Sequence, residues 1–232
     1  RQHIDPWAQI EDYRNALSFA ATLDELDEAR TGVWGISYSG GHVLIVSAID
    51  PRVKFVISTI PVVKGYMTMR RCHGERRFSD MVKLIAEDRE QRFRGEDSGR
   101  IAFSAIDPYT ENSVWPFPKI HEVFHQIKAV EAPRHEHWNT IESLELLMQY
   151  DVEPFCKRIL DTPVLMTVAK GDNITSHDLE IGTFNSITNP NKLLEVIEGV
   201  NHMSLYSNQE HLAKVCHVQA AWLENIICSL TP

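Results

Sequence analysis

No uninterrupted apolar run in this sequence approaches the roughly 18 residues that a membrane-spanning helix needs. No stretch has the charged start, apolar centre and small-residue cleavage site of a secretory signal. A basic surplus is missing too. Twenty-three lysines and arginines against 32 aspartates and glutamates leave a net charge of −9, which offers no footprint for nucleic acid or for an anionic membrane. Only four cysteines occur, Cys72, Cys156, Cys216 and Cys228, and no two are spaced as C-x-x-C. That is too few for a disulfide scaffold in a chain of this size. Cys216 falls on the apolar face of a predicted helix and reads as a buried core thiol. A reducing, cytoplasmic setting is expected. There is no internal repeat and no low-complexity tract. What is there is an ordinary globular composition, 43% hydrophobic and 24% charged over 232 residues, enough for one domain with a large core and an inserted subdomain.

The stretch around which the rest is organised is Val33-Trp34-Gly35-Ile36-Ser37-Tyr38-Ser39-Gly40-Gly41. A short apolar strand, 32–34, runs into a glycine-rich turn and then into an apolar segment, 42–49. Strand, tight turn and helix with a serine at the tip is the setting of a nucleophile elbow. Such a turn strains the serine backbone, so its neighbours must be small. Gly35 meets that need on one side, Ser39 and Gly40 on the other. The Ser37 hydroxyl would then stand above the sheet, and the backbone N–H of Tyr38 would face the point where an oxyanion develops.

Along the chain, Asp5-Pro6-Trp7 opens a helix, with Asp5 as cap and Pro6 at the first helical position. Residues 24–30 form a charged connector to the elbow strand. Val53 to Ile60 reads as a buried parallel strand. The first 64 residues therefore have the grammar of a parallel α/β sheet. From 65 to 150 the grammar changes and no convincing strand is found. Helices are expected at 79–94, around Ile120, Val123, Phe124 and Ile127, and after Asn139-x-x-Glu142, which reads as a cap. These residues form a helical lid insertion. Sheet grammar resumes in 151–232, with strands at 164–169 and 192–197, a helix at 178–184, and a long terminal helix at 209–227.

Ser37, Asp172 and His202 each fall just past the C-terminal end of a predicted strand, and in a parallel sheet those ends share one edge. The order Ser…Asp…His is that of the α/β hydrolases. A serine hydroxyl needs a base to take its proton as it attacks. His202 is the candidate base, and Asp172 would fix its tautomer and stabilise the imidazolium. Asp178 and His177 are the rivals, but neither follows a strand. His135-Glu136-His137 suggests a metal, yet no third ligand is placed, so no metal site is expected. Tyr66, Met67, Trp138 and Met203 are candidates for an acyl pocket.

The elbow Gly35-Ile36-Ser37-Tyr38-Ser39-Gly40 resembles the Gly-x-Ser-Tyr-x-Gly of the Xaa-Pro dipeptidyl-peptidase/cocaine-esterase-like branch of the α/β hydrolases. The stretches Asp5-Pro6-Trp7, Val33-Trp34-Gly35, Ser37 to His42, His137-Trp138-Asn139 and Lys170-Gly171-Asp172 are similar to a narrower group of bacterial hydrolases and fungal polyketide transferases and thiohydrolases. This resemblance implies an eight-stranded sheet, of which four strands are counted here. It also implies that the strands before the Asp-Pro-Trp helix, and their loop with the second oxyanion N–H, lie outside this chain. An upstream segment or a partner chain would then cover the edge near Val33 and Trp34, which is expected to expose both.

The expected activity is cleavage of a small-molecule ester or thioester through an acyl-enzyme, without cofactor, nucleic acid or membrane. Acyl transfer from a polyketide thioester to an alcohol, and a catalytically silent binding protein of the same fold, stay open. The exopeptidase reading is disfavoured because the large extra domains of dipeptidyl peptidases are missing. Self-association as a homo-oligomer is compatible with all three. The catalytic side chains are expected to be exposed in a cleft.

Overall fold

The computed structural model describes residues 2–229. In chain order the elements are α1 (Pro6–Ala20), a 3-10 turn (Glu28–Arg30), β1 (Val33–Ile36), α2 (Tyr38–Ile49), β2 (Val56–Thr59), α3 (Gly65–Phe93), β3 (Arg100–Ser104), β4 (Ser113–Trp115), α4 (Pro118–Val130), β5 (Trp138–Thr140), α5 (Ile141–Gln149), α6 (Glu153–Cys156), β6 (Val164–Ala169), α7 (His177–Ser186), β7 (Lys192–Ile197), α8 (Ser204–Ser207) and α9 (Gln209–Ser229). The chain divides into two compact units. One comprises Trp7–Lys64 and Asp151 onward; the other comprises Gly65–Tyr150 with the N-terminal stretch up to Pro6.

The first unit holds a four-stranded sheet in the order β1-β2-β6-β7, parallel throughout. β6, Val-Leu-Met-Thr-Val-Ala, is buried at every position, as a central strand covered on both faces must be. Pairing of Ile36 with Thr59, Thr59 with Thr167 and Ala169 with Ile197 aligns the C-terminal ends of the strands. The segments that follow β1, β6 and β7 therefore leave the sheet on the same side. α2 follows the elbow directly and buries eight consecutive residues, Gly40 to Ser47, so it is apolar on all sides rather than amphipathic.

α9 corrects one expectation. Cys216 is exposed, while Val215 and Gln219 are the helix residues buried against the unit. Gln219 is polar and so escaped the apolar pattern. Its amide donates to Thr59 Oγ1 (2.7 Å) and Thr167 Oγ1 (3.0 Å), and its carbonyl accepts from Trp34 Nε1 (3.0 Å). One glutamine thus ties β1, β2 and β6 together, and it defines the buried side of α9, one turn on from Val215. β1 stands at one edge of the sheet. Trp34 is 49% exposed there, whereas Val33, pointing the other way, is only 6% exposed. Alternation along the strand separates the two residues that the sequence reading had paired.

The second unit corrects the all-helical reading of 65–150. It contains a three-stranded sheet, order β4-β3-β5, with β3 parallel to β4 and antiparallel to β5. Strands of three to five residues are too short to develop a legible alternation. α3 starts at Gly65 rather than at 79 and is kinked at Gly74, where φ is 68°. The cap of α5 is Thr140, whose hydroxyl accepts from Ser143 N–H at 3.2 Å. Asn139, the expected cap, is buried in β5 instead. Among the described residues no helix is long and apolar enough to cross a membrane.

Candidate active site

Ser37 lies between β1 and α2 with φ 56° and ψ −118°, a conformation that a residue with a Cβ adopts only when its surroundings force it. Its N–H donates to Thr59 O and its carbonyl accepts from Val62 N–H, both at 2.9 Å, so β2 and the segment after it clamp the turn. A side chain at Gly35 would put its Cβ 2.2 Å from Ser39 O, and one at Gly40 would lie 2.8 Å from Thr59 O. Both positions must be bare for strand and helix to approach so closely. Ser39 does more than stay small. Its hydroxyl donates to Ile36 O and accepts from Ile36 N–H, both at 2.9 Å, closing the elbow from inside. That explains a serine where the motif usually carries glycine.

The structure brings the three predicted side chains together. Ser37 Oγ lies 2.9 Å from His202 Nε2, and His202 Nδ1 lies 2.7 Å from Asp172 Oδ2. An ionised Asp172 can only accept, so Nδ1 carries the proton and Nε2 presents its lone pair to Ser37. Asp172, not Asp178, is the carboxylate partner of His202. Asp172 Oδ1 also accepts from the N–H groups of Ile174 (2.8 Å) and Thr175 (2.9 Å). Burial alone would raise this carboxyl, but the charge and hydrogen bond of His202 together with those two N–H groups hold it below its ordinary value. Contrary to the expectation of an exposed cleft, Asp172 and His202 are both buried. The turns after β6 and β7 fold over them, which shields the charges from water and strengthens their interaction.

Three further residues complete this environment and were not found in the sequence. Thr175 Oγ1 lies 2.9 Å from Asp172 Oδ2 and 2.7 Å from Glu180 Oε1. Glu180, in the first turns of α7, is fully buried. Burial, and then the neighbouring Asp172 charge, push its carboxyl well above the ordinary value. A glutamate near a helix start normally reads as a solvated residue favoured by the dipole, so only tertiary structure identifies it. Tyr206, one helical turn beyond His202, stacks on the His202 ring with centroids 6.0 Å apart. Its phenol is pushed up to about 12 by burial, against an opposing hydrogen bond with Ser37, so it stays a donor. The signal available for Tyr206 was its spacing of four residues from the histidine.

Tyr38 begins α2, and N–H groups in the first turn of a helix have no intrahelical acceptor. Its N–H is therefore a natural donor beside Ser37. Met203 follows His202 and is buried. Tyr66, Met67 and Trp138 belong to the other unit; Tyr66 is exposed, and Met67 and Trp138 are half-buried. Tyr66 meets Phe78 edge-on at 4.9 Å, and Trp138 lies under the Arg100 guanidinium at 4.0 Å while donating to Glu136 Oε2 at 2.7 Å.

A parallel sheet whose strand ends carry a strained serine, a carboxylate and a histidine in this order defines the α/β-hydrolase architecture, and the chain has that fold. No protein-family model matches it. The chain is 26% identical over 212 residues to the polyketide transferase claH of Penicillium crustosum, a match covering 90% of this chain and 68% of the relative. It is 26% identical over 219 residues to a thiohydrolase of Eupenicillium brefeldianum, covering 91% and 67%. Among solved structures, the α/β hydrolase GrgF from Penicillium sp. sh18 superposes with a TM-score of 0.77 at 19% identity, covering 98% of this chain and 74% of that one.

Proposed function

We propose that this chain is a serine hydrolase-type enzyme that takes a small-molecule ester or thioester through an acyl-enzyme, with Ser37, His202 and Asp172 as its catalytic triad. The observation that supports this most is the unbroken hydrogen-bond chain from Ser37 Oγ through His202 to Asp172, at 2.9 and 2.7 Å, anchored on a serine of strained backbone. Ser37 Oγ gives its proton to His202 Nε2 and bonds to the substrate carbonyl carbon. The carbonyl oxygen becomes an oxyanion, met by the Tyr38 N–H. The tetrahedral species collapses and the leaving group takes the proton from His202, leaving an ester on Ser37. A water or alcohol then gives a proton to His202 and attacks that ester, and the proton returns to Ser37 Oγ as the acyl product departs. Asp172 stays ionised throughout and stabilises the imidazolium.

The relatives' names favour two outcomes for the acyl-enzyme, hydrolysis and transfer to an alcohol. They differ only in the acceptor, and product analysis with an added alcohol separates them. Within the superfamily we place the chain beside the Xaa-Pro dipeptidyl-peptidase/cocaine-esterase-like branch, on its Gly-x-Ser-Tyr-x-Gly elbow. In this reading segments 1–64 and 151–232 supply the chemistry and 65–150 supplies selectivity, with Tyr66, Met67, Trp138 and Met203 as residues that select the acyl chain. A cytoplasmic setting, and an upstream segment or partner chain pairing with the outer edge of β1, belong to the same proposal. The exposed Trp34 on that edge supports the second point.

The test is labelling by a fluorophosphonate probe, which needs only a working nucleophile. The folded protein should take up one equivalent at Ser37, and Ser37→Ala should take up none. A folded wild type that stays unlabelled, or that is labelled elsewhere, would return the chain to the class of silent binding proteins.

A further inference from the structure

The second unit brings together histidines that the sequence leaves far apart. His121 and His125 stand one turn apart on α4, and His137 directly precedes β5. One ring nitrogen of each lies within 4.8 Å of the other two. The rings crowd closely, with centroids at 4.0 Å for His121 and His125, 4.3 Å for His125 and His137, and 4.7 Å for His121 and His137. Among the described residues no hydrogen bond or ion pair joins a carboxylate to any of them.

Each ring is held at one nitrogen by a backbone carbonyl or a hydroxyl. His125 Nδ1 lies 2.8 Å from His121 O, His121 Nδ1 lies 3.5 Å from Ser104 O, and His137 Nε2 lies 2.6 Å from Ser104 Oγ. A backbone carbonyl or hydroxyl that fixes one imidazole nitrogen orients the other toward a metal, the usual outer arrangement of histidine metal sites. The nitrogens not held in this way are His121 Nε2, His125 Nε2 and His137 Nδ1, the last in hydrogen-bond reach of a fourth imidazole. His135 Nε2, 3.4 Å from His137 Nδ1, stands beside the same point. Ser104, at the end of β3, supports two of the three rings. Phe103 packs its ring 5.4 Å from His137 and 4.7 Å from Phe124, giving the cluster an apolar wall.

We propose that His121, His125 and His137 form a binding site for a divalent cation of the zinc class, with His135 or a water in the fourth position. All-imidazole ligation suits zinc, copper, nickel and cobalt rather than magnesium or calcium. Tetrahedral nitrogens about 2.0–2.1 Å from zinc stand roughly 3.3 Å apart. Closing the cluster from its present spread needs only small rotations of imidazole rings, one of them on an exposed side chain. The ion would cross-link α4 to the segment leading into β5, and its binding energy would add to the stability of this unit. The expectation that His135-Glu136-His137 lacks a third ligand is thereby replaced: the missing ligands come from the preceding helix.

The experiment is a calorimetric titration of the metal-stripped full chain with zinc chloride, repeated with cobalt chloride while the visible spectrum is followed. One equivalent of zinc should bind and raise the melting temperature, and cobalt should give the intense visible bands of a tetrahedral site. His125→Ala, an exposed position that leaves the fold intact, should weaken binding by about 100-fold. His217→Ala on α9 should not change it. Absence of saturable binding, octahedral-type cobalt bands, or equal affinity in wild type and His125→Ala would each overturn the proposal. A weakening in His217→Ala as large as in His125→Ala would do the same, because it would place the ion elsewhere.

Discussion

In the sheet unit the buried carboxylate Asp172 faces a histidine; in the insertion the buried carboxylate Asp88 faces an arginine. Arg92 on α3 donates to Asp88 Oδ2 at 2.8 Å and to Glu142 Oε1 of α5 at 2.9 Å, and also pairs with Glu145. Asp88 accepts in addition from Gly99 N–H at 2.6 Å. A guanidinium never gives up its proton in a protein, so Arg92 has no proton to relay, and the network it forms links α3, α5 and the start of β3. An imidazole is the side chain suited to take up and return a proton, and Asp172 is supplied with donors that keep it ionised beside the ring. On the proposed function, buried charge serves structure in one unit and chemistry in the other, and the partner decides which.

The largest expected effect tests the chemical half of that contrast. Ser37→Ala and His202→Ala should each remove about 10⁴–10⁶ of turnover, and the double variant should be hardly worse than either. Losses that multiply would show that the two side chains act separately. Because Asp172 and His202 are buried, their replacement also carries a stability cost that exposed cleft residues would not. Asp172→Asn, which keeps the shape, should melt closer to wild type than Asp172→Ala.

A second buried histidine in the sheet unit faces an amide oxygen. His42 on α2 is 1% exposed and its Nε2 lies 3.0 Å from Gln9 Oε1. Burial lowers its pKa from 6.5 to about 4. Between those values the unfolded chain binds a proton that the folded one refuses, so stability falls as the pH drops from 6.5 toward 4. The loss amounts to about 3 kcal/mol. Denaturant titrations at pH 7 and pH 4.5 should show a shallower decline for His42→Asn than for wild type. Parallel declines would mean that the ring is protonated in the folded state.

The insertion should respond in the opposite sense. Arg92→Met leaves Asp88 buried without its cation and should cost about 2 kcal/mol of stability, while the rate of fluorophosphonate labelling per folded molecule stays at the wild-type level. If the labelling rate falls in step with stability, the two roles of buried charge are not separable in this protein.

The contrast also governs what the sequence disclosed. β6 and β7 coincide with the strands read from the chain: β6 is buried throughout and reads as a continuous apolar run, while β7, an edge strand buried only at Ile197, is short, mostly apolar and bounded by turn residues. Ser37, Asp172 and His202 stood out because each follows such a strand, and strand ends in a parallel sheet are brought together by topology alone. The insertion has no such rule. Its strands are too short for a period, and its histidines meet through a turn whose path no local pattern specifies. Even in the sheet unit, legibility stopped at polar residues used as core. Gln219 took an apolar position on α9, and Thr175 and Glu180 look like ordinary turn and helix-start residues until the turn after β6 closes over them.

Glu180 provides the smallest expected effect. The Thr175 hydroxyl has one proton and two carboxyls within reach, Asp172 Oδ2 at 2.9 Å and Glu180 Oε1 at 2.7 Å. Asp172 is ionised by its pairing with His202. If Glu180 were ionised too, two buried carboxylates would compete for one proton, and Glu180 Oε2, which has no hydrogen-bond partner among the described residues, would hold charge with nothing to meet it. A neutral Glu180 resolves both problems: it donates to Thr175, and Thr175 donates to Asp172. Glutamine reproduces this, because its amide donates where the protonated carboxyl did. Glu180→Gln should therefore keep kcat/KM within about threefold of wild type, whereas Thr175→Val, which removes a donor from Asp172, should lower it by about tenfold. Infrared difference spectra at pH 8 should show a protonated carboxyl band in wild type that disappears in Glu180→Gln. A missing band, or a collapse of activity in Glu180→Gln, would mean that the carboxyl is charged and that the triad acid works beside a second negative group.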